Sequence, residues 1–286
     1  MQQAEAVEER TGYRHVEVRR IAGSLGAEVL GVDLTRLDDD IFDEIYRAFV
    51  EFQVIFFRDQ ALDLDGYLAF ARRWGKIAIY PYMKGLESHP EILQIVKSET
   101  DTYAFGNVWH TDTSFVPVPP KATMLHAIDV PAAGGDTLFA NQYQAYDTLS
   151  DGMKRLLAPL RALYVGDRPV YRFAEVKGMQ QRDPGNEQVH TYHPIVRTHP
   201  DSGRKALYLG HHAVEIENMT RAESAPLIDF LNAHATRPEF TCRFRWRPGS
   251  IAIWDNRCTQ HYAIDDYSGH VRRMNRIIIE GEEAPY

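Results

Sequence analysis

The strongest constraint on the fold is a series of short apolar segments that are separated by glycine and proline turns. The segments are rich in β-branched and aromatic residues and lie at 123–130, 135–141, 162–167, 205–210, 239–246, 250–256 and 272–280. Segments of this length and composition between turn residues are typical of β-strands. Several of them at close spacing favour a closed or two-layered β structure. The chain is therefore predicted to be mostly β.

The pattern also contains helices. Residues 41–52 repeat apolar side chains at helical spacing after an acidic run, and residues 64–75 return to the same spacing. Acidic residues stabilise the first turn of a helix. Residues 53–59 form a short apolar run that is typical of a buried strand. A further helix is predicted after Thr220, which can form a capping box with Glu223. We therefore expect helices that flank a β core.

The chain is predicted to form one domain, residues 14–286, preceded by a flexible tail at 1–13. A length of 286 residues with 44% hydrophobic composition is enough to bury a sizeable core. Residues 80–108 and 168–194 lack apolar periodicity and are predicted to be loops. Loops of this length in a compact domain are commonly lids or binding loops.

The composition of the chain restricts the kinds of molecule that it can bind. A net charge of −8 at pH 7 argues against nucleic acid, whose binding normally needs a basic surface. No stretch approaches the roughly 20 apolar residues of a membrane span, and the first residues do not resemble a secretion signal. The two cysteines, Cys242 and Cys258, suit a reducing compartment. We expect a cytoplasmic protein that binds a small molecule, without a nucleic-acid or membrane partner.

His110 and Asp112, in the sequence Trp-His-Thr-Asp at 109–112, are candidates for a metal site. If this segment is a strand, residues two apart project to one face, so both side chains can reach one cation. His261, after the apolar strand at 250–256, offers a third ligand. Two histidines and one carboxylate form a facial set that leaves iron positions open for chemistry, whereas a structural zinc site is closed.

Three arginines near the end of the chain, Arg272, Arg273 and Arg276, are candidates for binding anions. If residues 272–280 form a strand, Arg272 and Arg276 share a face while Arg273 points away. A carboxylate ligand needs a charge-assisted and preferably bidentate partner, which arginine supplies. A cavity on this face could hold two anions.

Several longer motifs contain these residues. They are LGAEVLGVDL at 25–34, WHTDTSF at 109–115, VPAAGGDTLFAN at 130–141, PGSIAIWDNRCTQHYAIDDY at 248–267 and RRMNR at 272–276. In this order they resemble the taurine dioxygenase and TfdA family of iron(II)- and 2-oxoglutarate-dependent dioxygenases, over nearly the whole chain. The chain is identified as a member of this family.

The resemblance implies roles for individual residues. His110, Asp112 and His261 match the family's iron ligands. Thr137, in Gly-Gly-Asp-Thr, and Arg272 match the partners of the distal carboxylate of 2-oxoglutarate. The implied cofactors are thus iron(II), 2-oxoglutarate as cosubstrate, and dioxygen.

The resemblance also implies the fold and the reaction. The family fold is a double-stranded β-helix, a jelly-roll-like pair of sheets with helices along one side. The implied enzyme is an oxidoreductase that hydroxylates a small organic anion and releases succinate and carbon dioxide. Arg276 matches the arginine that binds the substrate anion, and Trp254 is expected to line the cavity wall. By analogy with the family, a homo-oligomer is expected.

The expected substrate is larger than taurine. The taurine branch binds its sulfonate partly through a histidine and an asparagine, and these positions align with Tyr80 and Gly106 here. Tyr80 and Tyr82 would give a larger and more aromatic lining. An aryloxyalkanoate, an alkyl sulfate or sulfonate, or another carboxylate is therefore predicted. The alternative is taurine dioxygenase proper, or a 2-oxoglutarate-dependent desaturase or cyclase on the same fold.

Two further alternatives belong to other classes of protein. A cupin-type metal isomerase could share the barrel and the triad, but it needs no clamp for a 2-oxoglutarate carboxylate, so the Gly-Gly-Asp-Thr and RRMNR segments argue against it. The second alternative is a binding protein that has kept the fold but has lost its catalytic chemistry. It is disfavoured because all three expected metal ligands, His110, Asp112 and His261, are present.

Overall fold

The computed structural model describes residues 12–166, 180 and 189–286. Residues 1–11 of the predicted tail and most of the predicted loop at 168–194 lie outside the described residues. Tyr13, the last residue of the predicted tail, donates a hydrogen bond of 2.9 Å to Glu51. No helix within the described ranges has the length and apolar character needed to cross a membrane.

Strands contain more of the described residues than helices do. The strands are β1 Glu17–Arg20, β2 Ala27–Leu30, β3 Val54–Phe57, β4 Ile77–Ala78, β5 Leu93–Lys97, β6 Ala122–Asp129, β7 Thr137–Asn141, β8 Arg161–Val165, β9 His190–Pro194, β10 Val196–Thr198, β11 Lys205–Leu207, β12 Ala213–Ile216, β13 Thr241–Phe244, β14 Ile251–Asp255, β15 Thr259–Ala263 and β16 Arg272–Ile279. The helices are α1 Asp39–Phe52, α2 Leu64–Arg72, α3 Gln142–Asp147, α4 Asp151–Leu157, α5 Arg221–Ala235 and a short 3₁₀ helix at Pro238–Phe240.

Two sheets form the core. The larger sheet has the order β1-β2-β3-β14-β6-β16-β4, with β5 also paired to β16, and the smaller has the order β13-β7-β15. Their facing sides meet in an aromatic layer, in which the ring of Phe56 stacks on Phe244 at 3.9 Å and lies 5.7 Å from Phe139. This is the predicted double-stranded β-helix, and the predicted fold class is confirmed.

The sequence of the central strand β3 is apolar throughout because both faces of the strand are buried. Val54 and Phe56 belong to the layer between the sheets. Ile55 and Phe57, on the other face, pack in a second cluster with α1 and α2. Side chains alternate across a strand, so a strand that is covered on both faces reads as a continuous apolar run.

Most of the predicted elements are found, with some differences. α5 begins with the predicted capping box, in which Thr220 and Glu223 exchange hydrogen bonds. α3 and α4 were not predicted. The predicted loop at 80–108 contains the strand β5, whose five residues alternate between buried and partly buried and pair with the arginine strand β16.

Candidate metal centre

Three side chains that the sequence singled out, His110, Asp112 and His261, lie together in the interior. Oδ1 of Asp112 is 3.6 Å from Nε2 of His110 and 3.6 Å from Nε2 of His261. One ligand atom from each residue lies within 4.8 Å of the other two, and all three residues are buried. Two imidazole nitrogens and one carboxylate oxygen can therefore face one cation, which is the facial set of non-haem iron(II) sites.

The segment that carries His110 and Asp112 is not a strand, so that assumption from the sequence was wrong. His110 forms an isolated antiparallel bridge with His261, through backbone hydrogen bonds of 3.1 and 2.8 Å. Asp112 then lies in a turn in which Thr113 has a positive φ of 46°. The bridge brings the two imidazole rings to 4.1 Å, and the turn directs the carboxylate towards both.

The environment of Asp112 keeps it ionised. Its Oδ2 accepts a hydrogen bond of 2.7 Å from Thr123, whose hydroxyl in turn accepts one of 2.9 Å from the Asn256 amide. Burial by itself raises the pKa of Asp112, but the charge of Arg276 outweighs it and holds the pKa well below its usual range. The second oxygen, Oδ1, stays directed towards the histidines.

The histidines present the form that binds metals. Nδ1 of His110 donates a hydrogen bond of 2.6 Å to the carbonyl oxygen of Val108, which leaves Nε2 as the ring nitrogen that can bind a metal beside Asp112. Burial, and then the neighbouring His110, lower the pKa of His261 well below its ordinary value. His261 is therefore a neutral imidazole at physiological pH.

Two pockets meet at this centre. The first, which we call the Thr137 pocket, is lined by Ile95, Phe105, Gly106, His110, Asp112, Leu125, Thr137, Trp254, His261, Ala263, Arg272 and Arg276. The Tyr80 pocket is lined by Tyr80, Tyr103, Phe105, Gly106, Val108, His110, Asp112, Thr113, Phe115, Gly166, His212 and Arg276. Both pockets thus reach the candidate metal ligands, and both include Arg276.

The Thr137 pocket contains a buried arginine. Nε of Arg272 donates a hydrogen bond of 3.1 Å to the Gly135 carbonyl oxygen, while its Nη2 has no hydrogen-bond partner among the described residues. The Thr137 hydroxyl accepts a hydrogen bond of 2.9 Å from Trp246 and can donate its own proton into the pocket. Burial lowers the pKa of Arg272. A buried guanidinium group and a buried hydroxyl that line one pocket suit a carboxylate ligand.

The Tyr80 pocket is mainly aromatic and apolar. Its cation is Arg276, whose guanidinium lies 5.1 Å from the centre of the Tyr80 ring. Phe105 and Phe115 contribute further aromatic wall. Burial raises the pKa of Tyr80, which keeps its phenol neutral. The pocket can hold an anionic group at one end and apolar groups along its walls.

The other residues predicted from the sequence lie in different places. Trp254 lines the Thr137 pocket, and its ring lies 4.6 Å from that of His261. Tyr82 lines neither pocket: it is buried, and its ring packs 6.0 Å from that of Tyr80 and 5.8 Å from that of Phe115. On β16, Arg272 and Arg276 are buried and Arg273 is exposed, as the alternation predicted.

Sequence reasoning missed part of the Tyr80 pocket. His212 was not among the candidate residues, yet it lines the pocket, and burial lowers its pKa to about 3. Phe115 belongs to the WHTDTSF motif, and its place three residues after Asp112 could have indicated it. Nothing in the spacing around His212 or Gly166 indicated that they approach the metal centre.

A second buried group contains His199, Asp255 and Cys258. The Asp255 carboxylate is already held by Arg257, at 2.9 and 2.7 Å, and by His199 at 2.9 Å. These contacts occupy its oxygens with protein partners. We therefore assign this group to the structure of the core rather than to metal binding.

Comparison with known proteins agrees with this geometry. A sequence model described as "Taurine catabolism dioxygenase TauD, TfdA family" matches residues 17–278. The chain belongs to this family. It is 38% identical over 279 residues to the alpha-ketoglutarate-dependent sulfate ester dioxygenase of Pseudomonas putida, which covers 93% of this chain and 90% of that protein. The predicted family and enzyme class, a 2-oxoglutarate-dependent dioxygenase, are confirmed.

Two further proteins are similar over most of their length. An alkylsulfatase of Acinetobacter baylyi is 32% identical over 281 residues, which cover 94% of this chain and 86% of that protein. The crystal structure of a taurine dioxygenase from Burkholderia xenovorans superposes with a TM-score of 0.81 at 33% identity, and covers 95% of this chain and 91% of that one.

Proposed function

We propose that this protein binds iron(II) and oxidises an organic sulfate ester with 2-oxoglutarate and dioxygen. The observation that carries the proposal is the position of Arg276. This buried arginine contacts Asp112 of the candidate metal centre and lines a pocket whose other walls are largely aromatic. A fixed cation beside a metal centre, with apolar walls around it, suits a substrate with an anionic head and an apolar tail.

The donor set at His110, Asp112 and His261 fits iron(II). Its two nitrogens and one oxygen converge, the carboxylate is ionised, and His261 is neutral. Three protein ligands leave room for a chelating 2-oxo acid and dioxygen. When bound, the iron supplies the oxidative chemistry: one atom of dioxygen enters succinate, which forms with carbon dioxide, and the other enters a C–H bond of the substrate.

Arg272 and Thr137 would hold the distal carboxylate of 2-oxoglutarate. The Thr137 pocket connects them to the metal ligands, and the Nη2 group of Arg272 has no other hydrogen-bond partner among the described residues. A bidentate or charge-assisted pair in a dry pocket fixes the orientation of the cosubstrate as well as its affinity.

A sulfate ester is favoured over taurine by the charges of the Tyr80 pocket. Taurine carries an ammonium group that needs an anionic or polar partner. Among the described residues that line this pocket, Asp112 is the only carboxylate. The metal would occupy it, so no carboxylate is left for the ammonium group. The relatives named as a sulfate ester dioxygenase and an alkylsulfatase support an apolar alkyl chain on the anion.

The proposed reaction breaks the ester in two steps. Hydroxylation of the carbon that bears the sulfate oxygen gives a hydroxyalkyl sulfate. The new hydroxyl forms a carbonyl group as the C–O bond to sulfate breaks, so the products are an aldehyde and hydrogen sulfate. Arg276 would hold the sulfate so that this carbon faces the metal, and the aromatic walls would exclude water from the site.

The test is succinate formation from 2-oxoglutarate with octyl sulfate, taurine, 2-phenoxypropionate or octanoate as substrate. We expect octyl sulfate to give the highest kcat/KM, with one sulfate and one octanal released per succinate. His110→Ala should abolish turnover and iron binding, while His270→Ala, at an exposed position, should leave both unchanged. Faster turnover of taurine would overturn the substrate assignment, and succinate without aldehyde would favour desaturation or cyclisation.

We also propose that the enzyme works in the cytoplasm as a homo-oligomer. Both cysteines are free and buried, which suits a reducing compartment, and the oligomer is proposed by analogy with the family. Size-exclusion chromatography with light scattering tests the oligomer.

A further inference from the structure

Gly166 and Phe115 approach each other unusually closely at the wall of the Tyr80 pocket. A Cβ atom added to Gly166 would lie 2.5 Å from Cδ2 of Phe115 and 2.6 Å from two more atoms of its ring. Atoms of neighbouring side chains do not pack at such distances. The ring of Phe115 therefore occupies the space that any side chain at position 166 would need.

The backbone does not require glycine at position 166. Gly166 is not among the residues with positive φ, so alanine can adopt its conformation. Its N–H donates a hydrogen bond of 2.8 Å to the Val189 carbonyl oxygen, which fixes the main chain where it follows β8. The close approach to Phe115 is thus the structural reason for glycine.

The ring of Phe115 is enclosed on its other sides. It packs against Tyr82, with ring centres 5.8 Å apart, and against His212, at 4.9 Å. Both of these neighbours are buried, and interiors at this density do not yield space without cost. Among the described residues, the free volume that Phe115 borders is the Tyr80 pocket. A side chain at position 166 would push the ring into this pocket.

We infer that Gly166 is a specificity-determining residue, because its lack of a side chain keeps the Phe115 ring out of the Tyr80 pocket and leaves room for the apolar tail of the substrate. The inference rests on the proposed function for the identity of the tail. Arg276 binds the anionic head, and the carbon to be oxidised faces the metal. The rest of the substrate must then lie along the apolar wall that includes Phe115 and Gly166.

The experiment compares butyl and octyl sulfate as substrates of the iron-loaded enzyme. Gly166→Ala is expected to lower kcat/KM for octyl sulfate at least about tenfold more than for butyl sulfate, since each apolar methylene kept out of the pocket costs about fourfold. Calorimetric binding of the two esters without oxygen, in the presence of 2-oxoglutarate, should show the same selective loss. An equal loss for both esters, or no loss, would overturn the inference.

Two further variants separate the effect on the pocket from an effect on folding. Gly152→Ala adds the same methyl group in α4, where the nearest atom would lie at 3.9 Å, and it should leave the octyl to butyl ratio unchanged. Gly166→Ala combined with Phe115→Leu removes the ring that the new methyl group displaces. The double variant should regain octyl sulfate activity to within about threefold of the wild type. Failure to regain it would count against the inference.

The outcome can be distinguished from failure of the proposed function. If the wild type turns over no alkyl sulfate, the sulfate assignment is wrong, and the same two chain lengths are tested as sulfonates and carboxylates. A crystal structure of the Gly166→Ala variant needs no substrate. The ring of Phe115 inside the Tyr80 pocket supports the inference, and an unmoved ring overturns it.

Discussion

A guanidinium nitrogen of Arg276 lies 2.5 Å from Oδ1 of Asp112, the carboxylate oxygen that also faces both histidines at 3.6 Å. Arg276 is buried and lines both pockets. Its positive charge therefore has opposite effects on a bound anion and on a bound metal cation. A positive charge at this position attracts an anion in the pockets and repels a cation at Asp112.

Replacement of Arg276 should separate these two effects. Arg276→Gln is expected to weaken binding of octyl sulfate about 30-fold, since a charge-assisted hydrogen bond contributes about 2 kcal/mol. The same change should tighten binding of a divalent metal by about tenfold, because a nearby positive charge is removed. Calorimetry with the ester and electron paramagnetic resonance with Mn²⁺ measure the two affinities.

The control is another arginine of the same strand. Arg273 is exposed on β16, and Arg273→Gln removes an equal charge outside the pockets. It should change either affinity by less than about twofold, because exposed charges are screened by solvent. Weaker metal binding in the Arg276→Gln variant would contradict the electrostatic argument.

Asp266 is predicted to position Arg272 through the Gly-Gly-Asp-Thr loop. Its carboxylate accepts a hydrogen bond of 2.7 Å from the Gly135 N–H, and the Gly135 carbonyl oxygen accepts one from Arg272. Asp266→Ala should raise KM for 2-oxoglutarate about fivefold, the equivalent of about 1 kcal/mol. Because Asp266 lies outside both pockets, kcat should change little. Steady-state succinate formation at varied 2-oxoglutarate measures both constants.

A second substitution at the same position tests the hydrogen bond. Asp266→Asn keeps an oxygen that can accept from Gly135, and its KM for 2-oxoglutarate should stay within about twofold of the wild-type value. A fall in kcat with unchanged KM in the alanine variant would instead indicate a role in the chemical step.

Local rules predicted the parts of the site that lie close together in sequence. Alternation along β16 was enough to place Arg272 and Arg276 on one face and Arg273 on the other. The contact between Arg276 and Asp112 depends on the pairing of β16 with β6 and on a turn with positive φ at Thr113. A register set by long-range pairing is not encoded in the spacing of either motif.

The strand β5 is a second feature that local sequence rules did not predict. Its sequence lies between polar loops, and only its pairing with β16 identifies it as a strand. Gly166 and Phe115 are also far apart in sequence, and their contact follows from the packing of the residue directly after β8 against the turn after Asp112. Such tertiary contacts determine the shape of the Tyr80 pocket, whereas the sequence motifs identify the candidate metal ligands.

The buried pair between Asp255 and Arg257 is predicted to stabilise the fold. Asp255→Asn would leave Arg257 without its main counter-charge, although Asp201 still lies 2.8 Å from Arg257. The free energy of unfolding should fall by about 3 kcal/mol, because an uncompensated charge is costly in the interior. Urea denaturation followed by circular dichroism measures the change.

An exposed ion pair serves as the control for this variant. Asp147 and Arg204 lie 3.0 Å apart with about half of each side chain exposed. Asp147→Asn should change the free energy of unfolding by less than about 1 kcal/mol. Equal effects of the two substitutions would show that burial of the Asp255 pair does not matter for stability.

His193 is predicted to make stability depend on pH below neutrality. Burial lowers the pKa of His193 to about 4, even though its Nε2–H donates a hydrogen bond of 2.9 Å to the Val116 carbonyl oxygen. In the unfolded chain a histidine has a pKa of about 6.5. The unfolded state therefore binds the proton more readily, and stability is full above pH 6.5 and falls as the pH drops towards 4.

Replacement of His193 tests the size of this effect. At pH 5 the loss assigned to His193 is about 2 kcal/mol relative to pH 7.5. His193→Gln keeps an amide N–H for Val116 and cannot titrate, so its loss of stability between the two pH values should be smaller than that of the wild type by about this amount. His270→Gln, at an exposed position, is the control and should follow the wild type.

Urea denaturation at both pH values measures the free energy of unfolding. An unchanged pH dependence in His193→Gln would mean that the buried imidazole accepts a proton without destabilising the fold.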